Sequence, residues 1–223
     1  TGTGATAKIA FVAAAPWSEG LRSGAAAPGP LAGLVALVIL RAPRQTPPNQ
    51  RPSASTMPLY ICTACGTQYA ETAQPPAQCL LCEEERQYVP PRGQTWTTLD
   101  ALQAGHMNAF REHEPNVIGI GATPSFAIGQ RAILVRTPGG NVLWDCIAPL
   151  DAATIALVKG LGGIKAIAIS HPHFYTTMVA WSRAFDAPIH LHAADRDWVM
   201  RPDPAVKHWD GETHQLWDGV TLV

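Results

Sequence analysis

"AIAISHPHFYTTM", residues 166–178, is an apolar run that breaks off into two histidines one residue apart. Extended back to "IKAIAIS" (164–170), it is apolar nearly throughout, as a strand buried on both faces should be. From Met178 onward the spacing turns helical, through Trp181, Ser182 and Phe185. A buried strand followed by a helix puts His171 and His173 at the strand's C-terminal edge, where sites in α/β folds gather. Two imidazoles at that edge are candidate metal ligands, but two are too few for zinc.

Working outward, the same alternation continues on both sides. "LDAATIALVKGLGG" (150–163) reads as a helix with Asp151 as N-cap, Ile155, Val158 and Leu161 on one face, and the glycines at 160, 162 and 163 ending it. Before it, "FAIGQRAILVRT" (126–137) and "NVLWDC" (141–146) flank Pro138-Gly139-Gly140, a hairpin signal. Asp145 closes the second of these strands, placed to hydrogen-bond the histidine loop from behind. Downstream, "PIHLHA" (188–193) alternates as a strand, with His190 and His192 on one face in packing or surface roles. "ADRDWVM" (194–200) looks helical, with Asp195 and Asp197 as charges that favour its dipole. "HQLWDGVTLV" (214–223) forms a hairpin around Asp218-Gly219, flanked by His208 and His214 as surface residues. "TTLDALQAG" (97–105) predicts a short helix capped by Thr97 or Thr98 and stopped by Gly105. His106 and His113 then fall in what reads as a polar connecting segment.

The other dense signal is cysteine. Cys62-x-x-Cys65 and Cys79-x-x-Cys82 are separated by thirteen residues. Each pair delivers two thiolates to one side of an ion, and tetrahedral zinc needs four soft ligands. Gly66 suits the tight turn of a knuckle, where a positive φ is needed. A structural four-cysteine zinc site is the expected reading; two disulfides and a rubredoxin-like iron site are its alternatives. A closed four-thiolate shell has no open position, so its role is folding or docking rather than chemistry. The fifth cysteine, Cys146, stands at a strand end as a buried small hydrophobe.

The bulk numbers narrow the partner classes. The 223 residues are 47% hydrophobic and 15% charged, with a formal net charge of −1 and a pI near 6.7. That balance gives no electrostatic reason to expect nucleic acid or an anionic membrane as partner. The longest apolar run, "LAGLVALVIL" at 31–40, has ten residues, short of the ~18 of a membrane span and poorly flanked for a signal peptide. A cytoplasmic protein is expected. Residues 1–56 are rich in Ala, Gly, Pro and Ser, a composition that cannot bury enough surface to offset chain entropy. They are expected to be a disordered or upstream non-native segment, with Met57 as the natural start. Residues 57–95 then form the zinc ribbon and 96–223 an α/β domain. The sequence stops within a hairpin strand, so that domain is expected to be incomplete at its C-terminus.

A hairpin ending in "VLWDC", a helix, then "IKAIAISHPHFYTTM" resembles the metallo-β-lactamase fold, whose hydrolases carry H-x-H-x-D-H at this point. The likeness runs over about residues 117–223, and the cysteine segment resembles the small ribbon that precedes the domain in some members. The resemblance implies an αββα sandwich of which this chain holds the first half. It also implies a hydrolase acting on a small-molecule ester, amide or thioester carbonyl, or on a phosphate ester. Carried over by position, His171 and His173 match the first two histidines and Asp145 the aspartate of the preceding strand. Tyr175 stands where the family has its aspartate, and Thr176 where it has the third histidine. That leaves the family's second metal without two ligands, and a single-zinc site is expected, with Tyr175 as a hydrogen-bond donor to an oxyanion. The rival expectation is a non-catalytic ribbon module carrying a degenerate hydrolase domain. Electron transfer through a four-cysteine iron site is the third. Substrate and oligomeric state are not legible in the sequence.

Overall fold

The computed structural model describes residues 57–84, 89, 91 and 93–223; the expectations for residues 1–56 lie outside them. A small three-stranded antiparallel sheet comes first. Its central strand β1 (Leu59–Cys62) pairs with β2 (Gln68–Glu71) and β3 (Trp96–Thr97). Helix α1 (Leu99–Gly105) follows, capped by Thr98, whose hydroxyl accepts the Ala101 N–H at 3.3 Å.

The body of the fold is a seven-stranded mixed sheet. Strands β4 (Met107–Glu114), β5 (Val117–Thr123), β6 (Arg131–Thr137) and β7 (Gly140–Trp144) run as an antiparallel meander. Strands β8 (Ala166–Ala168), β9 (Ile189–His192) and β10 (Val206–Trp209) then add in parallel beyond β7. The parallel connections carry α2 (Ala152–Gly160) and α3 (Met178–Phe185), as crossovers between parallel strands require. Asp151 caps α2, its carboxylate accepting the Thr154 N–H at 2.6 Å. A short hairpin, β11 (His214–Trp217) and β12 (Val220–Leu222), completes the described chain.

Two expectations are corrected. The segment holding His106 and His113 is not a connector: β4 and β5 form a hairpin turning at Asn116, which takes φ 71°. β4 is the sheet's edge strand and mostly exposed, so it lacks the apolar alternation that betrays a strand. Val206–Trp209, with His208 in it, is likewise a strand, parallel to β9.

Period-two alternation divides the central strands between two cores. Leu143, Ile167, Ile189 and Leu191, all fully buried, face the helices and pack with Val158, Val179 and Trp181. Val142 and Ala168 point the other way and pack under Val220 and Leu222 of the β11–β12 hairpin. Trp181, midway along α3, anchors the helix, its indole N–H donating to the Ile147 carbonyl at 2.9 Å. Among the described residues no helix is long and apolar enough to cross a membrane.

Candidate metal centre and histidine turn

The four ribbon cysteines are brought together as their spacing predicts. Their sulfurs lie within 4.8 Å of one another, and all four side chains are buried. Cys62 Sγ is 3.7 Å from Cys82 Sγ, and Cys65 Sγ is 3.5 Å from Cys79 Sγ. A tetrahedral site with metal–sulfur bonds of ~2.3 Å puts its sulfurs about 3.8 Å apart, whereas a disulfide needs ~2.0 Å. The distances suit a metal ion and not disulfides. The first knuckle closes through Gly66 N–H to Cys62 C=O at 2.8 Å, with Gly66 at φ 83° where a side chain would be strained.

The thiols' electrostatics point the same way. Hydrogen bonds from Cys62 and Cys65 pull the Cys79 thiol far down, and Tyr69 adds a donor at 3.4 Å. Cys62 is pushed far up by its bonds to Cys65 and Cys79 and by burial. Cys65 is also raised: its bonds to Cys79 and Cys82, together with burial, outweigh the opposing bond to Cys62. Several thiolates held together in a buried cluster repel one another, and a bound cation is what compensates them. Cys146 is fully buried in the main core, which raises its thiol as well.

His171 and His173 sit immediately past β8, on a 3₁₀ turn at Pro172–Phe174. Their rings stack with centroids 4.7 Å apart, and the two Nδ1 atoms are 3.0 Å apart. The 3.0 Å contact is a hydrogen-bond distance between the two rings, and His171 Nδ1 also accepts the His173 N–H at 3.3 Å. The turn is held from behind by Asp145, which accepts from Ser170 N–H at 2.8 Å and Ser170 Oγ at 2.9 Å. Asp145 takes φ 62°, and its carboxyl is raised to about 6 by burial, against the lowering effect of the two Ser170 bonds.

The histidines open on a cavity of about 420 Å³ lined by Leu81, Glu84, His171, Pro172, His173, Asp195 and Trp198. One wall is thus the ribbon and another the turn after β9. Asp195 and Trp198 are elements of the site that sequence spacing does not reveal, since only the β9 crossover brings them opposite the histidines. Tyr175 is not on the cavity wall: its ring is 3% exposed and packed in the main core. Burial, with the Asp195 charge adding to it, pushes the Tyr175 phenol well up. Thr176 is buried at φ 36°, an unusual conformation for a β-branched residue.

The remaining histidines do not line the cavity. His190 Nδ1 meets His214 Nε2 at 3.1 Å, and Trp209 stacks on His214 and packs edge-on against His192. Burial, then His214 and Lys207, hold His190 below the usual histidine range. Among the described residues, the four cysteines are the only group of three or more His, Cys, Asp or Glu donors close enough together for one ion.

No family model matches the chain. It is 50% identical over 168 residues to the uncharacterized protein YmaE of Bacillus subtilis (strain 168), covering 74% of this chain and 61% of YmaE. The chain thus spans about three-fifths of the length of that relative. Solved structures with partial likeness are metallo-β-lactamases. They include the subclass B3 enzyme MEM-A1 from a soil metagenome, with 22% identity, 46% of this chain and 47% of that chain covered, and a TM-score of 0.36. DIM-1 gives 14% identity, 50% and 56% coverage, and a TM-score of 0.39.

Proposed function

We propose that this chain is part of a cytoplasmic metal-dependent hydrolase of the metallo-β-lactamase type, acting on a small-molecule substrate at a single zinc held by His171 and His173. The supporting observation is the pair of imidazole Nδ1 atoms 3.0 Å apart at the C-terminal end of a parallel strand, opening on a cavity. In this reading the β11–β12 hairpin begins the second sheet of the αββα sandwich. The ribbon carries a second, structural zinc. Zinc at the histidines supplies Lewis-acid activation of water near neutral pH. Asp145 keeps the turn in place through Ser170, Trp198 and Leu81 give the cavity apolar walls, and Asp195 sets a carboxylate beside it. The Tyr175 phenol, expected as a donor to an oxyanion, lies in the main core and off the cavity wall, so it takes no part in this reading.

A second reading is favoured by the two-donor count at the histidines: a ribbon-bearing binding module without catalysis. Zinc titration of metal-free protein separates the two. Two zincs per chain, falling to one in His171→Ala/His173→Ala, are expected for the hydrolase. One zinc in both proteins would overturn the histidine site and leave the module.

A further inference from the structure

The ribbon and the histidine turn meet at one buried side chain, Gln130, which precedes β6 and is 7% exposed. Its Nε2 lies 2.5 Å from the Cys65 carbonyl and 3.0 Å from the His173 carbonyl. An amide nitrogen has two hydrogens, and here both are committed, one to a metal-knuckle residue and one to a histidine of the candidate site. Both partners are carbonyl oxygens, which fixes the amide orientation. The knuckle also lies directly against this junction. A Cβ at Gly66 would stand 3.2 Å from Gln130 Nε2 and 3.4 Å from Thr176 Cγ2.

We infer that Gln130 is a positioning residue that couples the two centres, so that metal in the four-cysteine cluster sets the geometry of the His171–His173 turn. The Cys65 carbonyl belongs to a residue whose thiolate would be fixed by the metal. Among the described residues, the buried members of the knuckle cluster apart from the cysteines are Ala64 and Leu81 alone, so the knuckle loses its main hold when the cluster empties. The carbonyl then moves, and the shared amide carries that movement to His173. The rest of the docking does not pass through Gln130. Gln68 N–H donates to Thr176 C=O at 3.1 Å, Ala70 N–H to Met200 C=O at 3.1 Å, and Arg201 to Gln68 Oε1 at 2.5 Å. Those bonds keep the ribbon seated when Gln130 is changed, so the coupling is separable from the docking. The inference builds on the proposed histidine site but does not need that site to bind metal.

The test uses the full chain stripped of metal and titrated with zinc, ribbon filling being followed by protection of the thiols from an alkylating reagent. In the unaltered protein, filling the ribbon should shift the ring resonances of both His171 and His173 and slow amide exchange at Phe174 and Tyr175 about tenfold. In Gln130→Met the thiols should still be protected, but the ring shifts and the slowing should disappear. Gln130→Glu, equally long but without the donor pair, should behave in the same way and serves if the Met variant does not fold. An unaltered protein whose histidine rings ignore ribbon filling, or a Gln130 variant that responds as fully as the unaltered protein, would overturn the coupling. Absence of a second zinc with the ring response intact would instead overturn the hydrolase reading and leave the coupling standing.

Discussion

Asp145→Asn should stabilise the protein at alkaline pH, and the gain should vanish in acid. Asp145 is 7% exposed, and its carboxyl is raised from 3.8 to about 6, chiefly by burial. A carboxyl with a folded pKa above its unfolded one binds more protons in the folded state between the two values. The ionised form is therefore a cost to folding, complete above pH 6 and relieved as pH falls toward 3.8. About two units of difference correspond to about 3 kcal/mol at most. Asparagine keeps a side-chain oxygen to accept from Ser170 N–H and Oγ, and it tolerates the φ of 62° found here. Urea melts of both proteins at pH 8 should differ by up to ~3 kcal/mol in favour of the variant, at equal m-values, and by less than ~0.5 kcal/mol near pH 4. Variant and unaltered protein are compared at the same metal loading at each pH. A variant less stable at pH 8, or a difference that does not change with pH, would refute burial as the cause of the shift.

Cys79→Ser removes the sulfur on which the cluster's hydrogen bonds converge, and metal analysis should show the ribbon's ion lost. Gly66→Ala forces a Cβ into the knuckle junction at φ 83° and should lower the denaturation midpoint by about 1–3 kcal/mol equivalent; an unchanged midpoint would mean the junction gives freely. Trp181→Phe loses the indole bond to Ile147 C=O and leaves a void in a fully buried site, so chemical melts should register a loss of about 1–3 kcal/mol. Asp151→Ala should cost about 1 kcal/mol through loss of the α2 cap, with Asp151→Ser recovering most of it.

Local chemistry made much of this protein legible from its residues alone. Four thiols in two C-x-x-C pairs carry their own ligand geometry, Asp151 and Thr98 announce helix starts, and Pro138-Gly139-Gly140 and Asp218-Gly219 announce turns. The buried run before His171 marks a central strand, and its end places both histidines. For the caps and turns the deciding interaction lies within a few residues, and for the thiols each pair is set locally before the two pairs meet. What only the tertiary structure decided depends on partners far along the chain. β4 is an edge strand whose exposed residues carry no apolar alternation, and β10 becomes a strand because β9 offers it a parallel ladder. Tyr175 looks like a site residue by spacing, yet the turn carries its ring into the core, while Asp195 and Trp198 arrive on the cavity wall from beyond β9. Gln130 is unremarkable between Gly129 and Arg131. It gains its role because folding sets carbonyls from residues 65 and 173 within reach of one amide nitrogen, a juxtaposition that no local pattern encodes.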